Sequence, residues 1–120
     1  CCFDGDGATI MHMGSLAIVG QRAPRNYIHI VFNNGAHDSV GGQPTVGLDI
    51  DIPEIAKACG YKTFHSVEDK NGIEKALNQT NEYPMLLEIK VHKGARRNLG
   101  RPTTTPLQNK EAFMKHLDED

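Results

Sequence analysis

Two short clusters carry most of the chemistry that the side chains of this chain could perform. Gly5-Asp6-Gly7 sets a carboxylate between two glycines, directly after an apolar stub, Cys1-Cys2-Phe3, that reads as the end of a strand. Asn33-Asn34 closes a second stretch of strand character, Tyr27 to Phe32, and 25 residues lie between Gly7 and Asn33. A carboxylate and a neutral amide oxygen are hard donors of the kind Mg²⁺ takes, the remaining positions going to phosphate oxygens and water. Asparagine adds no negative charge beside a diphosphate, and the glycines allow close backbone approach. Together they suit a divalent cation clamping a diphosphate. Each cluster alone is an ordinary turn signal. The pair gains its meaning from the strand–helix–strand pattern between them.

That pattern, and the elements after it, must position the two clusters. Ala8 to Gln21 reads as one helix whose first free amides and dipole favour an anion. Ile10, Met11, Met13, Leu16, Ala17, Ile18 and Val19 leave it little polar face, so it is expected to be largely buried, with His12 a core histidine and Met11 and Met13 core residues. Ala23 to Asn26 is a loop, and Tyr27 to Phe32 a buried strand in which His29 is structural. A right-handed parallel crossover then brings both clusters to the carboxyl edge of one sheet, where ligands of such sheets bind. Gly35 to Asp51 is a long irregular stretch, of a length usually tied to function or mobility. A helix follows from about Asp51-Ile52-Pro53 to Gly60, with Cys59 buried in it. Tyr61 to His65 reads as a strand, Ser66 as the cap of a helix through about Gln79, and Met85 to Val91 as a late strand. After a loop from His92 to Thr105, Thr105-Pro106 opens a last helix in which Phe113, Met114 and Leu117 are spaced to dock. Alternating strands and helices give an α/β class: a three-layer αβα arrangement on a mainly parallel sheet.

The 120 residues suffice for one domain, spanning 1–120. Lys and Arg number 13 against 15 Asp and Glu, so no basic field points to nucleic acid. No apolar run reaches membrane-spanning length. Three cysteines without metal spacing read as reduced thiols of a cytoplasmic chain. The first residue is not Met and the chain opens inside an apparent strand, so it reads as a piece of a longer protein, incomplete at its N-terminal edge.

Gly5-Asp6-Gly7 followed by Asn33-Asn34 resembles the motif of thiamin-diphosphate-dependent enzymes. The resemblance runs through the chain: "DGDGATIMHMGSLAIVG", "NNGAHDSVGGQPTVG" and "GARRNLGRPTTTP" resemble the C-terminal, diphosphate-binding part of the phosphonopyruvate decarboxylases, with the sulfopyruvate decarboxylases next. Ser39 to Thr45 fits both groups, whereas His37-Asp38 looks more like the phosphonate enzymes. The resemblance implies a thiamin-diphosphate-binding fold with Asp6, Asn34 and the Ala36 carbonyl as ligands of Mg²⁺. Gly7 and Ala8 would give amides to the diphosphate, Gly5 would permit close approach, and Ser39 would reach the far end. It also implies a 2-oxo acid substrate, a homo-oligomer, and a pyrimidine-binding domain, in the same or a partner chain, that carries the activating glutamate. Glu54, Glu68, Glu74, Glu82 and Glu111 read as surface or helix residues, so an isolated fragment is expected to be inactive.

His37 and Asp38 are the catalytic candidates, either protonating the reacting group and touching substrate or hydrogen-bonding locally. His65, His92 and His116 lack metal spacing. Arg96, Arg97 and Arg101 could fork a phosphonate or carboxylate, but read as a solvated basic loop. Two other readings stay open: a sulfopyruvate decarboxylase subunit, and a non-catalytic Mg-diphosphate or nucleotide module. Against the latter, Gly5 to Ile10 lacks the third glycine of the dinucleotide fingerprint.

Overall fold

A computed structural model describes residues 1–118. Strand β1 (Cys2–Gly5) runs into two helices, α1 (Asp6–Met11) and α2 (Gly14–Arg22), and returns through β2 (Ile28–Asn33). A small ribbon, β3 (Ala36–His37) and β4 (Gln43–Pro44), brackets a 3₁₀ turn over Asp38–Val40. Then come α3 (Ile52–Cys59), β5 (Thr63–Val67), α4 (Lys70–Gln79), β6 (Met85–Lys90) and α5 (Pro106–Asp118). The four main strands form one sheet in the order β1-β2-β6-β5, every pairing parallel.

Period-two alternation sorts the strands' side chains onto two faces. Val31 and Leu86 pack with Leu16 of α2 and with Ile52 and Ala56 of α3. On the other face Ile30, Met85, Leu87 and Ile89 pack with Ala76 of α4. Two cores on opposite sides of one parallel sheet make the expected αβα layering. Over β1 and the end of β2 the α4 face is bare: Phe3 stacks on Phe32 with ring centroids 6.1 Å apart, and both rings are exposed.

Several boundaries differ from the sequence expectation. The helix expected over 8–21 begins at Asp6 and breaks at His12-Met13. There Ser15 Oγ donates to the His12 carbonyl at 2.8 Å and the chain turns through short-range bonds before Gly14; serine competing for the backbone beside a glycine explains the break. Nor is the segment largely buried. Leu16 and Gly20 face the core, but His12 is exposed, Met11 is 71% exposed and Ile18 65%. His12 and Met11 are therefore not core residues. Ser66 does not cap a helix. The strand runs on to Val67, opposite Ile89 of β6, and the cap is Asp69, which accepts from the Gly72 amide at 2.7 Å. Cys59 is half-buried. The last helix forms as expected, yet Phe113, Met114 and Leu117 are exposed rather than docked.

Helix α3 starts as its sequence dictates, with Asp51 accepting from Glu54 N at 2.9 Å and proline in the first turn. It crosses α2 at Gly20, where an added Cβ would stand 1.9 Å from the Cys59 carbonyl oxygen. The backbones meet there because glycine has no side chain. Gly20→Ala is expected to force α2 and α3 apart and cost about 1–3 kcal/mol, read as a lower denaturant midpoint with an unchanged slope.

Candidate cofactor-binding site

The parallel register sets Gly5 opposite Phe32, so Asp6 and Asn33-Asn34 leave neighbouring strand tips together. One open cleft of about 280 Å³ is lined by Gly5, Asp6, Gly7, Ala8, Asn34, Ala36, His37, Asp38 and Ser39, with Phe32 and Val91 at its apolar rim. The residues expected to hold cofactor and metal, together with His37 and Asp38, border this cleft, whereas Asn33, Arg96, Arg97 and Arg101 do not.

The Asp6 carboxylate is 1% exposed. Its Oδ2 accepts a hydrogen bond from Thr45 Oγ1, and Thr45 Oγ1 in turn accepts from the Gly47 amide at 3.1 Å. Thr45 is held by its own amide, which donates to the Gly35 carbonyl at 2.9 Å. The segment after β4 thus folds back over Asp6. Gly47 is wedged between the two strand tips: a Cβ there would lie 2.7 Å from Asp6 Oδ2 and 2.8 Å from Asn33 Oδ1. No larger residue fits between those oxygens.

The two asparagines do different work. Asn33 is fully buried. Its Nδ2 donates to the Gly47 carbonyl at 2.6 Å and to Glu88 Oε1 at 2.7 Å, and its Oδ1 accepts from Gly35 N at 3.1 Å. Asn34 borders the cleft. Its Oδ1 accepts from the Ala36 amide at 2.9 Å and its Nδ2 donates to Asp38 Oδ2 at 2.9 Å. The same Asp38 oxygen accepts from Gly94 N at 2.7 Å, so the loop after β6 is tied to the far wall, and Lys93 Nζ donates to the Gly42 carbonyl beside it. Asp38 therefore bonds locally, holding Asn34. The His37 ring stands where a side chain on Gly7 would be, its Nδ1 2.3 Å from that Cβ position. Helix α1 has only six residues, so its dipole is slight. The positive end expected there rests on the free amides of its first turn.

Behind the site, Asp4 Oδ2 lies 2.8 Å from His29 Nε2, and His29 Nδ1 is 3.4 Å from the Tyr61 hydroxyl. Burial pushes the Tyr27 phenol up to about 12, helped by a hydrogen bond with Cys2, and burial raises Tyr61 as well. Both phenols stay protonated near neutrality and can donate. Cys2, Asp4 and His29 bring ligand atoms within 4.8 Å of one another; Asp4 Oδ2 is met by His29 and, at 3.7 Å, by Cys2 Sγ. His29 is buried, as its strand position implied. Arg96, Arg97 and Arg101 are exposed.

The contacts of Thr45, Gly47 and Glu88 at the site escaped the sequence reading. Thr45 had a signal, since it ends the Gly-Gly-Gln-Pro-Thr run. Glu88 had one too, as a lone carboxylate inside the apolar run of β6.

Residues 1–89 match the family model described as "Thiamine pyrophosphate enzyme, C-terminal TPP binding domain". The chain belongs to this family of thiamin-diphosphate-binding domains. Among its relatives is a phosphonopyruvate decarboxylase of Streptomyces viridochromogenes, 40% identical over 92% of the chain and 28% of the relative. Another, from Streptomyces hygroscopicus, is 36% identical over 97% of the chain and 29% of the relative. The beta subunit of a Methanococcus maripaludis sulfopyruvate decarboxylase is 28% identical over 95% of the chain and 62% of that subunit. The chain thus spans under a third of the two Streptomyces enzymes. Among the described residues no helix is long and apolar enough to cross a membrane.

Gly47→Ala is expected to separate Asp6 from Asn33. It should lower thermal stability by an amount typical of overpacking, about 1–3 kcal/mol, and weaken binding of thiamin diphosphate by about tenfold or more, read by calorimetry.

Proposed function

We propose that this chain is the Mg²⁺–thiamin-diphosphate anchor of a 2-oxo acid decarboxylase, which converts phosphonopyruvate to phosphonoacetaldehyde and CO₂. The observation that carries the reading is the shared cleft: an acidic and an amide residue from adjacent parallel strand tips border one space with Ala36 and a glycine-flanked helix start. The donors fit the ions. Carboxylate, amide and carbonyl oxygens are the hard ligands Mg²⁺ prefers, and Asp6 and Asn34 are each fixed by a hydrogen bond before any ion arrives.

In this reading Asp6, Asn34 and the Ala36 carbonyl hold Mg²⁺. The Gly7 and Ala8 amides meet the diphosphate, Gly5 keeps the approach open, and Ser39 reaches its outer oxygens. Bound thiamin diphosphate supplies the electron sink for carbon–carbon cleavage. Asp38 orients Asn34 and ties the 91–105 loop over the cleft. His37, over Gly7, stands where an imidazole can hold or deliver a proton as CO₂ departs. A pyrimidine-binding domain, on the same or a partner chain, would complete the centre with its glutamate, in a homo-oligomer of cytoplasmic location. The bare Phe3–Phe32 pair and the apolar rim of the cleft suit contact with such a domain.

The resemblance to the sulfopyruvate decarboxylase subunit supports a second reading that changes only the substrate. CO₂ release from phosphonopyruvate and from sulfopyruvate by the full-length protein separates the two. For the anchor itself, calorimetry with Mg²⁺ should give saturable heat with thiamin diphosphate and none with NAD or ATP, and Asp6→Ala or Asn34→Ala should weaken it at least tenfold. Equal binding of ATP, or unchanged binding by both variants, would return the site to a general diphosphate module.

A further inference from the structure

Glu88 is a carboxylate at 3% exposure in the central strand β6, flanked in sequence by Leu87 and Ile89 of the apolar core. It does not border the cleft. A buried charge is costly unless it is well hydrogen-bonded, and Glu88 is: Oε1 accepts from Asn33 Nδ2 at 2.7 Å, and Oε2 accepts from Ser66 Oγ at 2.5 Å. Both oxygens accept, so Glu88 fixes which way the Asn33 amide faces. With Nδ2 turned to Glu88 and to the Gly47 carbonyl, Oδ1 must face the Gly35 amide.

The consequence runs along the sheet edge. From Glu88 the bonds pass to Asn33, to Gly47, through the Gly47 amide to Thr45 Oγ1, and from Thr45 to Asp6 Oδ2. The Asn33 bond to Gly35 N holds the turn that presents Asn34 and Ala36. One acceptor therefore stands behind both sides of the site.

We propose that Glu88 is a positioning residue for the cation site: by orienting Asn33 it sets the spacing between Asp6 on one strand tip and Asn34 with Ala36 on the other. The proposal rests on the reading of the cleft as a Mg²⁺–diphosphate site. Glu88 touches neither ion nor substrate. Its part depends on reach and on accepting hydrogen bonds. Gln can replace it, its carbonyl accepting from Asn33 and its amide donating to the Ser66 hydroxyl. Asp cannot, because it is one methylene too short.

The test is a titration of the full-length protein with Mn²⁺ in the presence of thiamin diphosphate, free Mn²⁺ being read by electron paramagnetic resonance. Glu88→Gln is expected to keep the affinity within about threefold, and Glu88→Asp to lose about tenfold or more, the range for residues that orient metal ligands. Thermal melts run alongside. An Asp variant that melts lower but binds Mn²⁺ like the parent would overturn the proposal, as would a Gln variant as weak as the Asp one. Loss of any folding transition in both variants also overturns it, since Glu88 would then serve the fold alone. If the parent itself binds no Mn²⁺, the reading of the cleft fails, an outcome distinct from equal binding by parent and variants.

Discussion

Parallel pairing of β1 with β2 is the constraint on which the site depends. Cys2 lies opposite His29 and Gly5 opposite Phe32, so the residues that follow each strand leave the sheet side by side. A slip of one residue would turn every side chain on one strand to the other face. Val31 would lose its place with Leu16 and Leu86, and His29 its contacts with Asp4 and Tyr61. The apolar core and the buried imidazole thus hold a register whose effect is felt at the strand tips.

The tips are then locked by polar contacts rather than by packing. Asp6, Asn33 and Glu88 are all buried, and each has its hydrogen-bond partners. Among the described residues no buried side-chain nitrogen or oxygen lacks a partner. Such a network is rigid, because breaking one bond leaves a buried group unsatisfied at a cost of about 1–3 kcal/mol. Rigidity of this kind suits the proposed role, which would need oxygens presented at fixed spacing to a small cation. The stretch from Val91 to Thr105 is exposed and is tied to this network at its start, Val91 N donating to the Asn33 carbonyl at 2.9 Å.

The chemistry-bearing clusters were legible in the sequence because each is local. Gly5-Asp6-Gly7 and Asn33-Asn34 sit at strand ends that residue type alone marks, and the αβα layering follows from the order of the elements. What was not legible depended on contacts far apart in the chain or on close competition between local preferences. Glu88 meets Asn33 across 55 residues, and Thr45 meets Asp6 across 39; nothing near either residue announces its partner. Ser66 resembles a helix cap, yet its hydroxyl is bound to Glu88 and Asp69 caps instead. Apolar residues from Ile10 to Val19 suggested a buried helix, but a turn at His12-Met13 divides them, and Met11 and Ile18 lie on the exposed side.

The most direct measurement is anomalous diffraction from crystals of the full-length protein grown with Mn²⁺ and thiamin diphosphate. One Mn²⁺ peak is expected, bonded to the Asp6 and Asn34 side chains and the Ala36 carbonyl, with Asn33 turned inward to Glu88. A peak at any other donors, or a diphosphate ordered away from the Gly7 and Ala8 amides, would contradict it.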